Sequence, residues 1–388
     1  MLPAPGQPTG GGPGGYRALV SQAIAVDALG VAVAARVPVL LWGAPGTGKT
    51  SAVTAMAAAL GWPCETVIAA IREPSDFAGL PVVAPGGEAG DGAGVHMAPP
   101  RWARRLAAAS RGVLFLDEIS TAPPAVQAAL LRVVLERVVG DLDLPEGVVV
   151  VAAANPPEQA ADGWDLSAPL ANRFCHLDWT VEPADFARGL VEGWDPPVVP
   201  TLPEGWEDGV AATRALVSAF LTVRPGLALA VPADAAAAGR GWPSPRTWDM
   251  AARLWAAARA AEAPDEVATA LVSGAVGTGA GVELLMWETQ MDLPDPEKVL
   301  ADPEGFTLPE RGDRAFAVLS AVASAVAADP TVERWLAGWK VLGRAGAEAP
   351  DVAAVAARVL ASCRPPKAPT PPEVKAFLPL LADRRWQG

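Results

Sequence analysis

Short apolar runs separated by helical patterns dominate the first half of the chain. Five runs, mostly of consecutive apolar residues, predict strands at 39–42, 65–68, 113–116, 148–153 and 174–178. Apolar residues at successive strand positions indicate a strand that is covered on both faces. The pattern therefore predicts an α/β fold with a parallel sheet flanked by helices.

Helical spacing of apolar residues fills the gaps between these runs. The predicted helices cover 16–29, 50–60, 101–110 and 123–134. We expect Gly30 to end the first of them, because glycine is common just beyond a helix C-terminus. Residues 81–100 are Gly-rich with two short β-prone pieces, and we interpret them as an inserted hairpin.

The second half of the chain is helical in character after a break. Around 183–203 the periodic pattern gives way to Trp, Pro and acidic residues, which indicates a linker. We divide the chain into a flexible Pro/Gly-rich tail at 1–15, an α/β domain at 16–185, a linker with connecting helices at 186–235, a helical unit at 236–300 and a C-terminal helical region at 301–388.

Composition and charge narrow the class of protein. The formal net charge of −13 argues against a broad basic surface, so we do not expect binding to nucleic acid. The 3 cysteines lie far apart in the sequence, which fits a reducing compartment. No apolar run approaches the ~18 residues of a membrane helix, and the first residues lack the pattern of a signal peptide. We therefore expect a soluble, cytoplasmic protein without membrane insertion.

A single lysine stands out in the first 297 residues. Lys49 lies in a glycine-rich segment between the strand at 39–42 and the helix at 50–60, and the segment matches the P-loop pattern G-x-x-x-x-G-K-[ST]. In this motif backbone N–H groups surround phosphate oxygens, the lysine reaches the terminal phosphates and the last hydroxyl binds Mg²⁺. The predicted ATP-binding residues are Gly43, Ala44, Pro45, Gly46, Thr47, Gly48, Lys49, Thr50 and Ser51.

Two carboxylates follow the strand predicted at 113–116. Asp117 lies at the strand tip, where it can hold Mg²⁺ opposite Thr50. Glu118 can polarise a water for attack on the γ-phosphate. Acidic pairs also occur at strand ends simply as solvated caps. Taken without the glycine loop, Asp117 and Glu118 are open to this interpretation as well.

These motifs, in this order, resemble those of AAA+ ATPases of the MoxR group. Residues 152–156 are similar to the family's sensor 1, residues 170–174 to the segment that carries its arginine finger, and residues 242–248 to its sensor 2. Further stretches that carry the resemblance are 43–50, 74–79, 114–120 and 122–131.

The resemblance implies a P-loop NTPase (AAA+) domain followed by an all-α lid, and roles for three more residues. Asn155 would orient the attacking water, Arg173 would reach the γ-phosphate in a neighbouring subunit, and Arg246 would contact phosphate from the first turn of a lid helix. Family members usually have an acidic residue before the finger, whereas Asn172 stands here. From the residues alone, Asn155 is also an ordinary turn former and Arg173 a candidate for a surface ion pair.

The implied activity is Mg²⁺-dependent ATP hydrolysis by a homo-oligomer, a hexameric ring. Such a ring would remodel or activate a protein client in a chaperone-like way, and a von Willebrand factor A domain protein is a common partner in the family. Two alternatives remain open, namely a nucleotide-gated scaffold with little turnover and a nucleic-acid-associated AAA+ motor. The basic group of Arg101, Arg104 and Arg105 indicates a solvated face or, as the alternative, a subunit or pore contact.

Overall fold

A computed structural model of the chain describes residues 22–84, 94–156, 165–291 and 293–381. The predicted tail at 1–15 and the start of the helix at 16–29 lie outside the described residues. The strands are β1 Val39–Trp42, β2 Cys64–Ile68, β3 Leu80–Ala84, β4 Gly94–Ala98, β5 Arg111–Asp117, β6 Val138–Val139, β7 Leu142–Asp143, β8 Gly147–Ala154 and β9 Cys175–Asp178.

Helices lie between the strands and make up the second half of the chain. They are α1 Gln22–Ala34, α2 Lys49–Ala59, α3 Ser75–Ala78, α4 Arg101–Ala109, α5 Pro124–Glu136, α6 Ala168–Ala171, α7 Pro183–Glu192, α8 Asp208–Val223, α9 Ala235–Ala238, α10 Pro245–Ala260, α11 Asp265–Val276, α12 Thr278–Thr289, α13 Pro296–Ala301, α14 Gly312–Ala328, α15 Val332–Glu348, α16 Pro350–Ser362 and α17 Val374–Leu381.

The five predicted strands form one parallel sheet in the order β2-β5-β8-β1-β9. Alternate residues enter two separate cores, as the pleat requires. Leu41 and Phe115 face the core that includes α1 and α2, whereas Leu40 and Leu114 face the core that includes α4 and α5. The prediction of a parallel sheet covered on both faces is confirmed.

The first of these cores continues into the helices that follow the sheet. Trp248 and Trp255 of α10 and Leu271 of α11 belong to the same buried cluster as Leu41. The helical unit is therefore packed directly against the sheet and its helices. A separate core lies within the C-terminal helices, where Trp335, Trp339 and other apolar residues pack together, which confirms a helical C-terminal region.

One local prediction was wrong. Gly30 does not end the first helix, which runs on to Ala34. A Cβ at position 30 would overlap the backbone of Val198, so this glycine permits close packing of the chain and does not stop the helix. The segment at 183–203, which we interpret as a linker, begins with a helix, α7, which has a proline in its first turn and is followed by Gly193 with φ 89°.

The hairpin hypothesis for residues 81–100 agrees with the structure. β3 and β4 pair antiparallel, with Val82 opposite His96, and residues 85–93 lie outside the described ranges. The Asp141 carboxylate, from the β6–β7 hairpin, accepts hydrogen bonds from Met97 N at 2.7 Å and lies 2.8 Å from His96 Nδ1. Within the described ranges, every helix is too short or too polar to cross a bilayer.

Candidate functional site

The ends of three adjacent strands bring most of the predicted site residues together. Because β5, β8 and β1 are parallel neighbours, their C-terminal ends lie at one edge of the sheet. Gly43 follows β1, Asp117 ends β5 and Asn155 follows β8. We call residues 43–51, Asp117, Glu118 and Asn155 the strand-end site.

Glycine is required at several points of the loop after β1. Gly46 and Gly48 have φ of 79° and 84°, in the left-handed region that side chains rarely adopt. A Cβ on Gly43 would overlap the carbonyl of Trp179. The loop is fastened at its far side as well, since the Trp179 indole N–H donates to Thr47 O at 3.0 Å. The strand and helix on either side thus enclose a tight turn whose shape depends on these residues.

Lys49 begins α2 and is buried, with 7% of its surface exposed. Its ammonium group donates to Gly43 O at 2.5 Å, to Ala44 O at 3.0 Å and to Asn155 Oδ1 at 3.3 Å. Burial lowers its pKa, while the charge of Asp117 acts in the opposite direction. Among the described residues no carboxylate forms an ion pair with it, so the cation is held by neutral oxygens and suits an anionic ligand.

Thr50 and Asp117 place two oxygens at hydrogen-bond distance. Thr50 Oγ1 donates to Asp117 Oδ2 at 2.9 Å, although 67 residues separate them. The other carboxylate oxygen, Asp117 Oδ1, accepts from Glu118 N at 3.0 Å. A hydroxyl and a carboxylate are the hard oxygen ligands that Mg²⁺ prefers, so this pair fits the ion. Ser51, the next residue of α2, is exposed in the first turn.

Glu118 has a strained backbone at the end of β5. It adopts φ 55° and ψ 39°, a left-handed conformation that is uncommon for a residue with a side chain. Its carbonyl is fixed by Thr121, which donates from Oγ1 at 2.9 Å and from N at 3.2 Å. The Glu118 side chain is exposed at the strand-end site. Strain of this kind concentrates at functional sites.

The predicted arginines form a second group. Arg173 Nη1 donates to Pro169 O. Burial lowers the pKa of Arg173, and the positive charge of Arg246 lowers it further, so the two guanidinium groups are close enough to repel. Among the described residues, no hydrogen bond or ion pair links either arginine to the strand-end site. We call Arg173 and Arg246 the arginine pair.

The start of α10 was predicted correctly from its sequence. Ser244 is the N-cap and accepts from Thr247 N, Pro245 occupies the first turn, and Arg246 is exposed beside it. The sequence did not reveal that Ser244 Oγ also donates to Asn172 Oδ1, at 2.8 Å. The signal in the sequence for this contact is that Asn172 replaces the acidic residue that is usual in the family.

His176 has a structural role beneath the loop. It is buried, it accepts from the Trp42 indole N–H at 2.8 Å through Nδ1, and its Nε2 lies 2.8 Å from Ala171 O. Burial lowers its pKa to about 4, so the ring is neutral at pH 7. Arg240 stacks on Trp42 and forms an ion pair with Asp178 at 2.8 Å. These contacts hold the segment between α9 and α10 against the sheet.

A cavity of about 600 Å³ lies between α1, β9 and the helices α11 and α12. Its wall includes Ile24, Leu177 and several polar residues, among them Asp178, Arg240, Asp265 and Thr269. Asp178 is paired in the sheet with Trp42, the residue directly before Gly43. The cavity therefore lies beside β9, close to the start of the glycine loop that follows β1.

Comparison with known families identifies part of the chain. Residues 38–174 match the model of the AAA domain, dynein-related subfamily. This matched segment runs from the residue before β1 to the residue before β9, so it includes the strand-end site. No curated protein matches the chain.

Three solved structures are similar to the chain over much of its length. A candidate ATPase from Cytophaga hutchinsonii ATCC 33406 is 17% identical with a TM-score of 0.46, and the match covers 68% of this chain and 89% of that one. An MCM homolog from Methanopyrus kandleri is 18% identical with a TM-score of 0.37, covering 68% and 57%. A proline-to-glycine mutant of RuvB from Thermotoga maritima is 18% identical with a TM-score of 0.30, covering 81% and 85%. Likeness at these values says nothing about what this chain binds.

Proposed function

We propose that this chain is a Mg²⁺-dependent ATPase that works as a ring of identical subunits, a hexamer, and remodels or activates a protein client. One observation carries the ATPase part. Lys49 reaches Asn155, and Thr50 reaches Asp117, so residues from three strand ends converge on one place. A buried cation, two hard oxygen ligands and a free carboxylate are what phosphoryl transfer to water requires.

Each residue of the strand-end site has a task in this proposal. Backbone N–H groups of residues 46–50 bind the phosphates, helped by the positive end of α2. Lys49 exchanges its carbonyl partners for phosphate oxygens, and Asn155, already at the ammonium group, donates its amide to the attacking water. Glu118 accepts a proton from that water, because its carboxylate is exposed and accessible to the water.

The metal fits the same place. Thr50 Oγ1 and Asp117 Oδ2 are near enough to bind one ion, directly or through water. Bound Mg²⁺ would offset negative charge on the phosphates as the bond to the leaving group breaks. Asp117 is oriented for this by the Glu118 N–H, which holds its second oxygen.

The nucleoside is assigned to the cavity beside β9. Its volume of about 600 Å³ is in the range of small-molecule sites, and both apolar and polar groups line it. Because α11 and α12 form one wall, an occupied cavity would bind the helical lid to the sheet. Nucleotide hydrolysis can thereby change the position of the lid, which is how we expect a ring to do work.

The ring is supported by the position of the arginine pair. Neither arginine is bonded to the strand-end site of its own chain among the described residues, and both are next to each other at a partly exposed surface. Two adjacent cations suit the γ-phosphate of a neighbouring chain. The client, for which a von Willebrand factor A domain protein is the proposal, rests on the sequence resemblance to the MoxR group.

Phosphate release from ATP by the purified protein tests the activity. We expect release with Mg²⁺, none with EDTA, and strong loss in Glu118→Gln with ATP binding intact. Near-zero release from assembled protein would favour a nucleotide-gated scaffold. Stimulation by single-stranded or duplex DNA would favour a nucleic-acid motor.

A further inference from the structure

A buried amide joins the two segments that carry the arginine pair. Asn172 is 3% exposed and directly precedes Arg173. Its Oδ1 accepts from Ser244 Oγ at 2.8 Å, and its Nδ2 donates to Trp242 O at 3.3 Å. Ser244 is the N-cap of α10 and Trp242 lies two residues before it, so one side chain connects the α/β unit to the segment that leads into the helix of Arg246.

The group that Asn172 contacts is itself rigid. Ser244 and Thr247 are 5% and 0% exposed and form a reciprocal capping box at the first turn of α10. Thr247 Oγ1 also donates to Trp242 O at 2.8 Å. Because both partners of Asn172 are fixed in this way, its two hydrogen bonds hold α10 in one position relative to Arg173.

This arrangement brings like charges together, and within the described ranges no ion pair joins a carboxylate to Arg173 or Arg246. The pKa of Arg173 is lowered first by burial and then by the positive charge of Arg246, so the two cations repel each other. A neutral amide at position 172 can accept from Ser244 and donate to Trp242 at once. A carboxylate there could only accept, and it would place a negative charge beside both arginines.

We propose that Asn172 is a positioning residue that holds Arg173 and Arg246 together as a single cationic unit for one phosphate group. The inference rests on the proposed ATPase function. Asn172 touches no substrate and acts through the two arginines. It also makes their positions interdependent, since α10 cannot turn away from the α/β unit without breaking both hydrogen bonds.

Two substitutions at this position separate its roles. Asn172→Asp keeps the acceptor for Ser244 but loses the donor to Trp242 and adds a charge, whereas Asn172→Leu removes both hydrogen bonds at similar volume. For each variant we expect kcat for ATP hydrolysis to fall roughly tenfold or more, with KM changed less than about twofold, because the strand-end site is untouched. Unfolding temperature is measured in parallel.

A matched control is the buried amide of Gln127, which is 2% exposed and bonds to Ala122 O and Ser167 N. Gln127→Glu makes the same amide-to-acid change away from the start of α10. It is expected to lower the unfolding temperature while kcat stays within about twofold of wild type. Wild-type kcat in Asn172→Asp, or an equal loss of kcat in Gln127→Glu, would overturn the proposal.

Mixing experiments separate this inference from the proposed function. Asn172→Asp chains retain the strand-end site, and Lys49→Ala chains retain the arginine pair, so co-assembled mixtures should regain activity. Arg173→Ala mixed with Lys49→Ala is the reference. Recovery in both mixtures supports the inference, and recovery in the reference alone overturns it. If neither mixture recovers, the shared site of the proposed ring is wrong and the inference falls with it.

Discussion

At the strand-end site, adjacent strands of one sheet each supply a polar residue, whereas the arginine pair is assembled from two units of the chain. Lys49 donates to Asn155, and Thr50 donates to Asp117. The segments that carry Arg173 and Arg246 are joined by the hydrogen bonds of Asn172 to Ser244 and Trp242. The first group is therefore held by neighbouring strand ends and the start of α2, and the second depends on how α10 is docked.

This difference predicts different consequences of mutation. A substitution in the strand-end site should inactivate the nucleotide site of the same chain. A substitution in the arginine pair should inactivate the site of a neighbouring chain, and another chain with intact arginines should restore activity. The predictions below test this contrast.

Removal of the Lys49 ammonium should have the largest effect. Lys49→Ala leaves the phosphates without their buried cation, so we expect hydrolysis to be lost and affinity for ATP to fall at least about a hundredfold. Titration with a fluorescent ATP analogue measures the affinity. Lys298→Ala, at an exposed lysine of α13, is the matched control. Unchanged affinity in Lys49→Ala would exclude the strand-end site as the phosphate site.

Loss of Arg173 should come next. Arg173→Ala is expected to lower kcat about a thousandfold while ATP still binds, because the guanidinium acts on charge that develops during phosphoryl transfer. Mixed assemblies with Lys49→Ala should regain activity. An assembled mixture that stays inactive would contradict a role for Arg173 in a neighbouring site.

Glu118→Gln should keep ATP binding and lower kcat about a hundredfold, since an amide cannot accept the proton of the attacking water. Single-turnover hydrolysis measures this step. Mixing with Lys49→Ala chains should not restore activity to Glu118→Gln, in contrast to Arg173→Ala, because the Glu118→Gln chains then hold the only sites that can bind ATP. Glu192→Gln, an exposed glutamate of α7, is the control. Equal turnover in wild type and Glu118→Gln would remove Glu118 from the proposed chemistry.

The smallest effect concerns His176, which supports the loop from below. Its pKa is lowered from 6.5 to about 4 by burial, so the unfolded chain binds a proton that the folded chain does not in this window. Stability should therefore fall as pH decreases from 6.5 towards 4, by about 2 kcal/mol between pH 8 and pH 5. Urea unfolding of wild type and His176→Gln measures the difference.

His176→Gln should lose that part of the pH dependence, and His96→Gln, in the exposed hairpin, should not. A pH dependence of unfolding that is the same in wild type and His176→Gln would show that His176 takes up its proton without unfolding.

Local patterns sufficed to predict that the residues of the strand-end site lie at strand ends, because each pattern is a short stretch of sequence. The glycine loop around Lys49 and the acidic end of the strand before Glu118 each combine a short motif with a strand. A parallel sheet then brings strand ends to one edge. Even so, the sequence did not reveal the strained φ of Glu118 or the Trp179 hydrogen bond that fastens the loop.

Long-range contacts account for what the sequence could not show. Asn172 and Ser244 are 72 residues apart, and Trp42 and His176 are 134 apart, so no periodicity links them. Gly30 has the signal of a helix end, yet close packing against Val198 explains it. Such contacts depend on how units dock, which local propensity does not encode.

The central claim is that the nucleotide site is complete only between two chains. The most direct test is the molar mass of Glu118→Gln by light scattering, with and without ATP and Mg²⁺. We predict a closed oligomer, a hexamer, with bound ATP. A monomer that holds ATP with full affinity would contradict the claim.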